Sequence, residues 1–195
     1  MARYPAKPPP EPVAAPPGLA TRRAVLRLLD AVLRRRDPPE LALHGAAQGL
    51  PPADRALAHA IAADVLRHMA DLDALIDGTT QQILPEDAKA RMVLRIALVQ
   101  LLLLATPPHA AIATALPLLD GGPRRLVHGV LGALIRSGAT LPEVPALPAP
   151  VVARWTAQWG EGVVANAALS SATRAPIDIN IADADATARW TEALQ

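Results

Sequence analysis

The segment from Arg91 to Leu104 constrains the fold of this chain more than any other feature. Apart from Arg91, Arg95 and Gln100, its residues are all aliphatic or Met. A helix that is apolar on nearly every side has to be surrounded by other helices, because a helix at a protein surface keeps one polar face. The run is also too short to cross a bilayer. It therefore predicts the buried helix of a mainly all-α bundle, with no membrane partner.

Helical segments separated by prolines and glycines surround this central helix. In the first of them, Thr21 is placed to cap a helix whose apolar residues share one arc, and Pro38 ends that helix. Ala and Leu, both strong helix formers, dominate the composition. Residues 176–181 alternate apolar and polar side chains and are predicted as a strand, which cannot form a sheet alone. Further helices are expected over residues 40–47, 53–77, 88–105, 109–116, 124–137, 151–159 and 162–173, with a bend near Asp71 and a loop at 121–123.

The chain has few residues suited to catalysis or metal binding. It contains no cysteine, which excludes disulfides, thiolate metal sites and a cysteine nucleophile. There is no Gly-rich phosphate loop, and the five histidines lack metal-ligand spacing. Asp71, Asp73 and Asp77 form a local acidic cluster, which we interpret as a solvated helix end. We therefore expect no catalytic residue, no metal and no cofactor-binding residue in this chain.

Arginine is the residue type that best indicates a function. The net charge of +1 predicts no partner by itself, but residues 22–36 contain six arginines and one aspartate. Guanidinium groups bind phosphates in a bidentate manner, so an arginine-bearing helix face suits an RNA backbone. The alternative is an ordinary solvated face that keeps an Ala- and Leu-rich protein soluble. The candidate phosphate contacts are Arg22, Arg23, Arg27 and Arg34, with Arg125 and Arg136 as weaker candidates.

Four segments in order, at residues 22–32, 54–67, 91–112 and 127–131, point to a known family. The most specific is the third, in which the central helix precedes Pro107-Pro108-His109. Together they resemble the N-terminal region of the bacterial ribosomal-RNA 5-methylcytosine methyltransferases of the RsmB/Sun family, a region similar to the antitermination factor NusB. Trp155, Trp159 and residues 175–179 continue the resemblance past the NusB-like part. It implies a NusB-like antiparallel helix bundle that binds small-subunit ribosomal RNA in the cytoplasm.

The composition and this resemblance together divide the chain into four parts. We expect a disordered Pro-rich tail at 1–19, the RNA-binding domain at 20–138, a Pro-rich linker at 139–150, and the truncated start of an α/β methyltransferase accessory region at 151–195. The resemblance places the S-adenosylmethionine site and two catalytic cysteines of the parent enzyme beyond Gln195, which leaves substrate engagement to this chain. A stand-alone NusB-type antitermination factor and a helical protein-interaction module are the alternatives.

Overall fold

The computed structural model describes residues 16–173 and 187–193, and these residues form helices and no strands. A π-helical turn (Ala31–Arg35) continues the first helix, and a 3-10 turn (Leu116–Leu118) continues the sixth. The predicted helical bundle is confirmed, whereas the strand predicted at residues 176–181 lies outside the described residues. The α-helices are α1 (Leu19–Asp30), α2 (Pro39–Ala46), α3 (Pro52–Arg67), α4 (Met69–Thr79), α5 (Lys89–Leu102), α6 (Pro108–Ala115), α7 (Gly121–Arg136), α8 (Ala149–Trp159), α9 (Glu161–Ala172) and α10 (Thr187–Ala193).

Helix α5 is the buried centre of the bundle, as its apolar sequence predicts. Every residue from Ala90 to Gln100 is buried, and α5 packs against α1, α3, α4, α6 and α7. The surrounding core consists of Leu, Ile, Val and Ala side chains together with Met92. Because none of the described core residues is aromatic, the stability of the core depends on close packing of many small aliphatic groups.

The single long helix expected over residues 53–77 is two helices. Helix α3 ends at Arg67 and α4 begins at Met69, so the break falls at His68 rather than near Asp71. The backbone of His68 has φ −102° and ψ 17°, in the sparsely populated region between helix and strand conformations. The imidazole is buried at this break, and its Nδ1 atom has no hydrogen-bond partner among the described residues.

Two helices, α1 and α7, start three residues earlier than the sequence predicts. Helix α1 begins at Leu19, so Thr21 does not cap it and instead lies buried inside its first turn. Gly18 precedes the helix with φ 78°, a left-handed conformation that residues with a Cβ atom rarely adopt. Residues 121–123, predicted as a loop, form the first turn of α7, where a proline is tolerated because its missing N–H has no helical partner to lose.

The segment after α7 lies against the bundle before the chain enters α8. Ala139 and Leu141 pack on the core, Pro145 is buried, and the Ala146 N–H donates to Asp71 Oδ2 at 2.9 Å. The part of the expected linker up to Ala146 is therefore held to α4. Helices α8 and α9 contact each other but contain no buried residue. None of the described helices is long and apolar enough to span a membrane.

Candidate nucleic-acid interface

The outer face of α1 presents two arginines one helical turn apart. Arg23 and Arg27 are exposed, whereas Ala24, Val25 and Leu28 on the other side of the helix are buried. This division follows from the helical period, since residues four apart lie on the same face. Arg23 pairs with none of the described residues. Arg27 Nη2 donates to the Ala46 carbonyl oxygen at 3.1 Å, at the carboxyl end of α2, where a cation is favoured by the helix dipole.

Arg22 lies on a different side of α1 and has an internal partner. Its Nε donates to Oε1 of the fully buried Gln100 at 2.7 Å, and Gln100 Nε2 donates in turn to the Ile96 carbonyl oxygen at 3.0 Å. Burial lowers the pKa of Arg22, although the charge of Asp54 opposes this effect; the guanidinium stays protonated at any physiological pH. Arg22 therefore links α1 to α5, and its role as a phosphate contact stays a prediction.

The π-helical turn after α1 carries a second group of arginines. Arg34 Nη1 lies 3.1 Å from Asp30 Oδ1, and Arg35 Nε lies 3.1 Å from Asp37 Oδ2. The arginine side chains keep 56% and 61% of their surface exposed, so these ion pairs contribute little to stability. The turn ends at Arg36, whose φ of 62° is left-handed. A ligand with stronger anionic oxygens can therefore compete for the guanidinium groups of Arg34 and Arg35 at small cost.

These arginines line a groove between the α1 end of the bundle and α2. The groove has a volume of about 590 Å³. Arg27, Arg34 and Arg35 form part of its rim, and Leu41 and Met92 contribute to its apolar lining. The structure thus brings together two of the predicted phosphate contacts, Arg27 and Arg34, and adds Arg35, which the sequence analysis did not select.

The two weaker candidates lie on α7. Arg125 is exposed and lines a separate shallow groove formed with residues of the 79–84 segment. Arg136 is exposed at the last turn of α7, with its guanidinium beside Gly132. Neither residue lines the groove that contains Arg27 and Arg34.

An ion-pair cluster between α4 and α5 was missed by the sequence analysis. Arg95 binds Asp73 through two hydrogen bonds, Nε to Oδ1 at 2.8 Å and Nη2 to Oδ2 at 2.7 Å. Arg91 Nη2 donates to Asp77 Oδ1 at 2.5 Å, and Arg91 Nη1 lies 3.0 Å from Asp73 Oδ1. Arg91 also donates to the carbonyl oxygen of Leu84. Asp73 and Asp77 are therefore structural partners of α5 rather than members of a simple solvated helix end.

Its hydrogen bonds with the two aspartates favour the charged state of Arg91. Burial disfavours the charge on Arg91, but its hydrogen bonds with Asp77 and Asp73 together outweigh that penalty, so the pKa of Arg91 is raised. A sequence signal for the cluster exists: two aspartates four residues apart precede two arginines four residues apart on an otherwise apolar helix. Buried charges require partners, so the arginines of such a helix indicate carboxylates on a neighbouring one.

The described residues contain no group of three or more histidines and carboxylates able to hold a metal ion. What the structure defines at residues 19–136 is an α-helical bundle with an aliphatic core and an arginine-bearing outer helix. The NusB family model matches these same residues, 19–136, which is more than half of the chain. The chain therefore belongs to the NusB family. No curated protein and no solved structure matched the sequence.

Proposed function

We propose that this chain engages ribosomal RNA for an S-adenosylmethionine-dependent methyltransferase of the small ribosomal subunit, through phosphate contacts on the outer face of α1. Membership in the NusB family implies RNA binding. What we add is the class of RNA, the surface and the link to methyl transfer. The arrangement of three arginines carries this proposal: Arg23 and Arg27 on α1 and Arg34 in the π-helical turn after it are exposed, while the opposite face of α1 is buried in the core.

The existing contacts of these side chains leave them able to bind phosphate. Arg23 has no partner among the described residues, Arg27 makes one hydrogen bond to a carbonyl oxygen, and Arg34 makes an exposed ion pair. An exposed pair is weak because water and salt screen it. Phosphate oxygens, in contrast, accept two guanidinium hydrogen bonds at once. Binding of an RNA backbone therefore replaces weak contacts with stronger ones.

The link to methyl transfer rests on the resemblance beyond the bundle. The NusB match ends at residue 136, and the chain continues into α8 and α9, which contain Trp155 and Trp159 of the resembling segments. Because the chain contains no cysteine, the two catalytic cysteines of such an enzyme belong to other polypeptide. We assign no catalytic residue to this chain, and its part in the reaction is to hold the substrate.

The test is a titration of the full chain with a small-subunit rRNA fragment at several salt concentrations. Replacement of Arg23, Arg27 and Arg34 by Ala is expected to lower the salt slope by about 2 to 3 units, since each phosphate contact contributes roughly 0.7 to 0.9. The matched control replaces three exposed arginines elsewhere, Arg55, Arg124 and Arg154, and should keep most of the slope. Unchanged affinity and slope in the first variant would refute the surface that we propose.

A further inference from the structure

The groove beside α1 is lined by apolar side chains and by side chains of both signs of charge. Leu41 of α2 is 71% exposed over this groove, although its neighbour Ala42 is buried in the bundle. The rim carries hydrogen-bond donors on Arg34 and Arg35 and acceptors on Asp37. The volume of about 590 Å³ falls in the range of 300 to 1,000 Å³ that is typical of small-ligand sites. The groove is thus large enough for one planar ring system with its substituents.

We propose that this groove receives one unstacked nucleobase of a bound single-stranded RNA. The inference rests on the proposed function, because it requires an RNA strand on the arginine face of α1. An exposed apolar side chain such as Leu41 packs against the face of a base that has left its stack. Guanidinium groups stack on bases as well as binding phosphates. Single-stranded segments are the form of RNA whose bases are available for this kind of contact.

The edge of a base needs both donors and acceptors, and the rim of the groove supplies both. Aspartate accepts hydrogen bonds from the exocyclic amino group of cytosine, and arginine donates to the acceptor atoms of guanine. Asp30 and Asp37 are held at the rim by Arg34 and Arg35. Carboxylates at a surface that only tracked phosphates would weaken binding, so their presence in this groove favours base contact there.

The position of the groove also favours RNA over a protein segment as its occupant. Arg27 and Arg34 belong both to the proposed phosphate surface and to the groove lining, so a strand that follows α1 passes the groove opening. From Arg23 to Asp30 helix α1 rises about 10 Å, at roughly 1.5 Å per residue, and Arg34 follows in the π-helical turn. The lining contains four basic side chains against three carboxylates (Arg27, Arg34, Arg35 and Lys89 against Asp30, Asp37 and Asp87), which leaves an excess of positive charge.

Two successive arginines of the π-helical turn, Arg34 and Arg35, line this groove. A π-helical turn is wider than an α-helical one, so Arg34 and Arg35 do not follow the angular spacing of α1. Both side chains line the groove and both pair with Asp30, at 3.1 Å and 3.7 Å respectively. Such turns occur frequently at functional sites, and here the turn gathers guanidinium groups around the opening.

The experiment measures the affinity of the full chain for a single-stranded fragment of small-subunit rRNA and for a fully paired duplex. Leu41→Ala is expected to weaken single-strand binding by about 2- to 5-fold, at or below the lower end of what a base gains on an aromatic ring, because leucine has no ring; the salt slope and the duplex affinity should stay unchanged. Leu41→Phe should tighten single-strand binding, because an aromatic ring stacks better on a base. The matched control is Ile83→Ala, since Ile83 is 76% exposed on the bundle surface and does not line the groove.

A second measurement ties the effect to one base. A series of the same RNA is made in which each nucleotide in turn lacks its base. One member of the series is expected to lose about 2- to 5-fold in affinity for the wild-type chain and to lose nothing for Leu41→Ala. If wild type binds RNA with the expected salt slope but Leu41→Ala binds as tightly, the groove has another occupant, such as a protein segment, and this inference is overturned while the proposed function stands. If wild type binds no RNA, the proposed function itself fails.

Discussion

The two arginine groups of this bundle differ in environment although both lie on helices with the same period. In α5, Arg91 and Arg95 are 2% and 3% exposed and are bound to carboxylates of α4. On α1, Arg23 and Arg27 face solvent, and no carboxylate of the described residues pairs with them. The difference comes from the position of each helix relative to the core. A guanidinium inside the bundle has to be neutralised by the protein, whereas one outside it stays available for a ligand.

The largest expected effect is on the buried side of this comparison. Arg95→Ala leaves the carboxylate of Asp73 without its bidentate partner, and loss of one member of a buried pair costs about 3 to 5 kcal/mol of unfolding free energy. We expect the lower end of that range, because Asp73 retains 26% exposure and a contact with Arg91. Urea denaturation measures the change. Arg23→Ala, on the exposed side, should shift stability by no more than about 0.5 kcal/mol; equal losses in the two variants would contradict the distinction.

Arg22 lies between the two groups of arginines, because it belongs to α1 but has a partner inside the bundle. Arg22→Ala leaves Oε1 of the buried Gln100 without its donor, at an expected cost of about 1 to 3 kcal/mol. Because this guanidinium already has an internal partner, we expect its removal to change the salt slope of RNA binding less than Arg23→Ala does. Denaturation and RNA titration of both variants provide the comparison. A slope loss equal to that of Arg23→Ala would place Arg22 among the phosphate contacts.

The sequence predicted the helices and the faces of this bundle better than it predicted contacts between helices. The apolar residues from Met92 to Val99 require burial whatever surrounds them, so the central position of α5 follows from the sequence alone. The exposed face at Arg23 and Arg27 follows from the same periodicity. Pairing of Asp73 with Arg95 depends on which helix lies next to α5, and no local pattern determines that.

The groove beside α1 could not be predicted from the sequence either, because the backbone conformation changes locally after α1. A continuous α-helical period through Arg34 gave a single arginine face, but the π-helical turn changes the angular spacing after Asp30. Arg35 lines the groove together with Arg34, although α-helical spacing separates neighbouring residues by about 100°. The break at His68 is a similar local departure from a continuous helix. A single residue separates α3 from α4, and the sequences of both helices are otherwise ordinary.

The smallest expected effect concerns protonation inside the bundle. Burial lowers the pKa of His68 from its ordinary value of 6.5. The charges of Asp64 and Asp71 oppose this effect, and the charge of Arg67, the smallest influence, acts in the same direction as burial. The imidazole is therefore neutral in the folded state under conditions in which the unfolded chain already binds a proton. Stability that is fully present above pH 6.5 declines as the pH falls below that value.

The contribution of one such group is at most about 1.4 kcal/mol per pH unit. Urea denaturation between pH 7.5 and about pH 5.5, the range in which a histidine titrates, is expected to show a shallower decline for His68→Gln than for wild type. His128→Gln, at an exposed position of α7, is the control and should keep the wild-type decline. An identical pH dependence of stability in His68→Gln and wild type would show that protonation of His68 does not contribute to the decline. A shallower decline of stability in His68→Gln would show that burial governs the charge of His68. The comparison between buried and exposed arginines would then hold for a histidine as well.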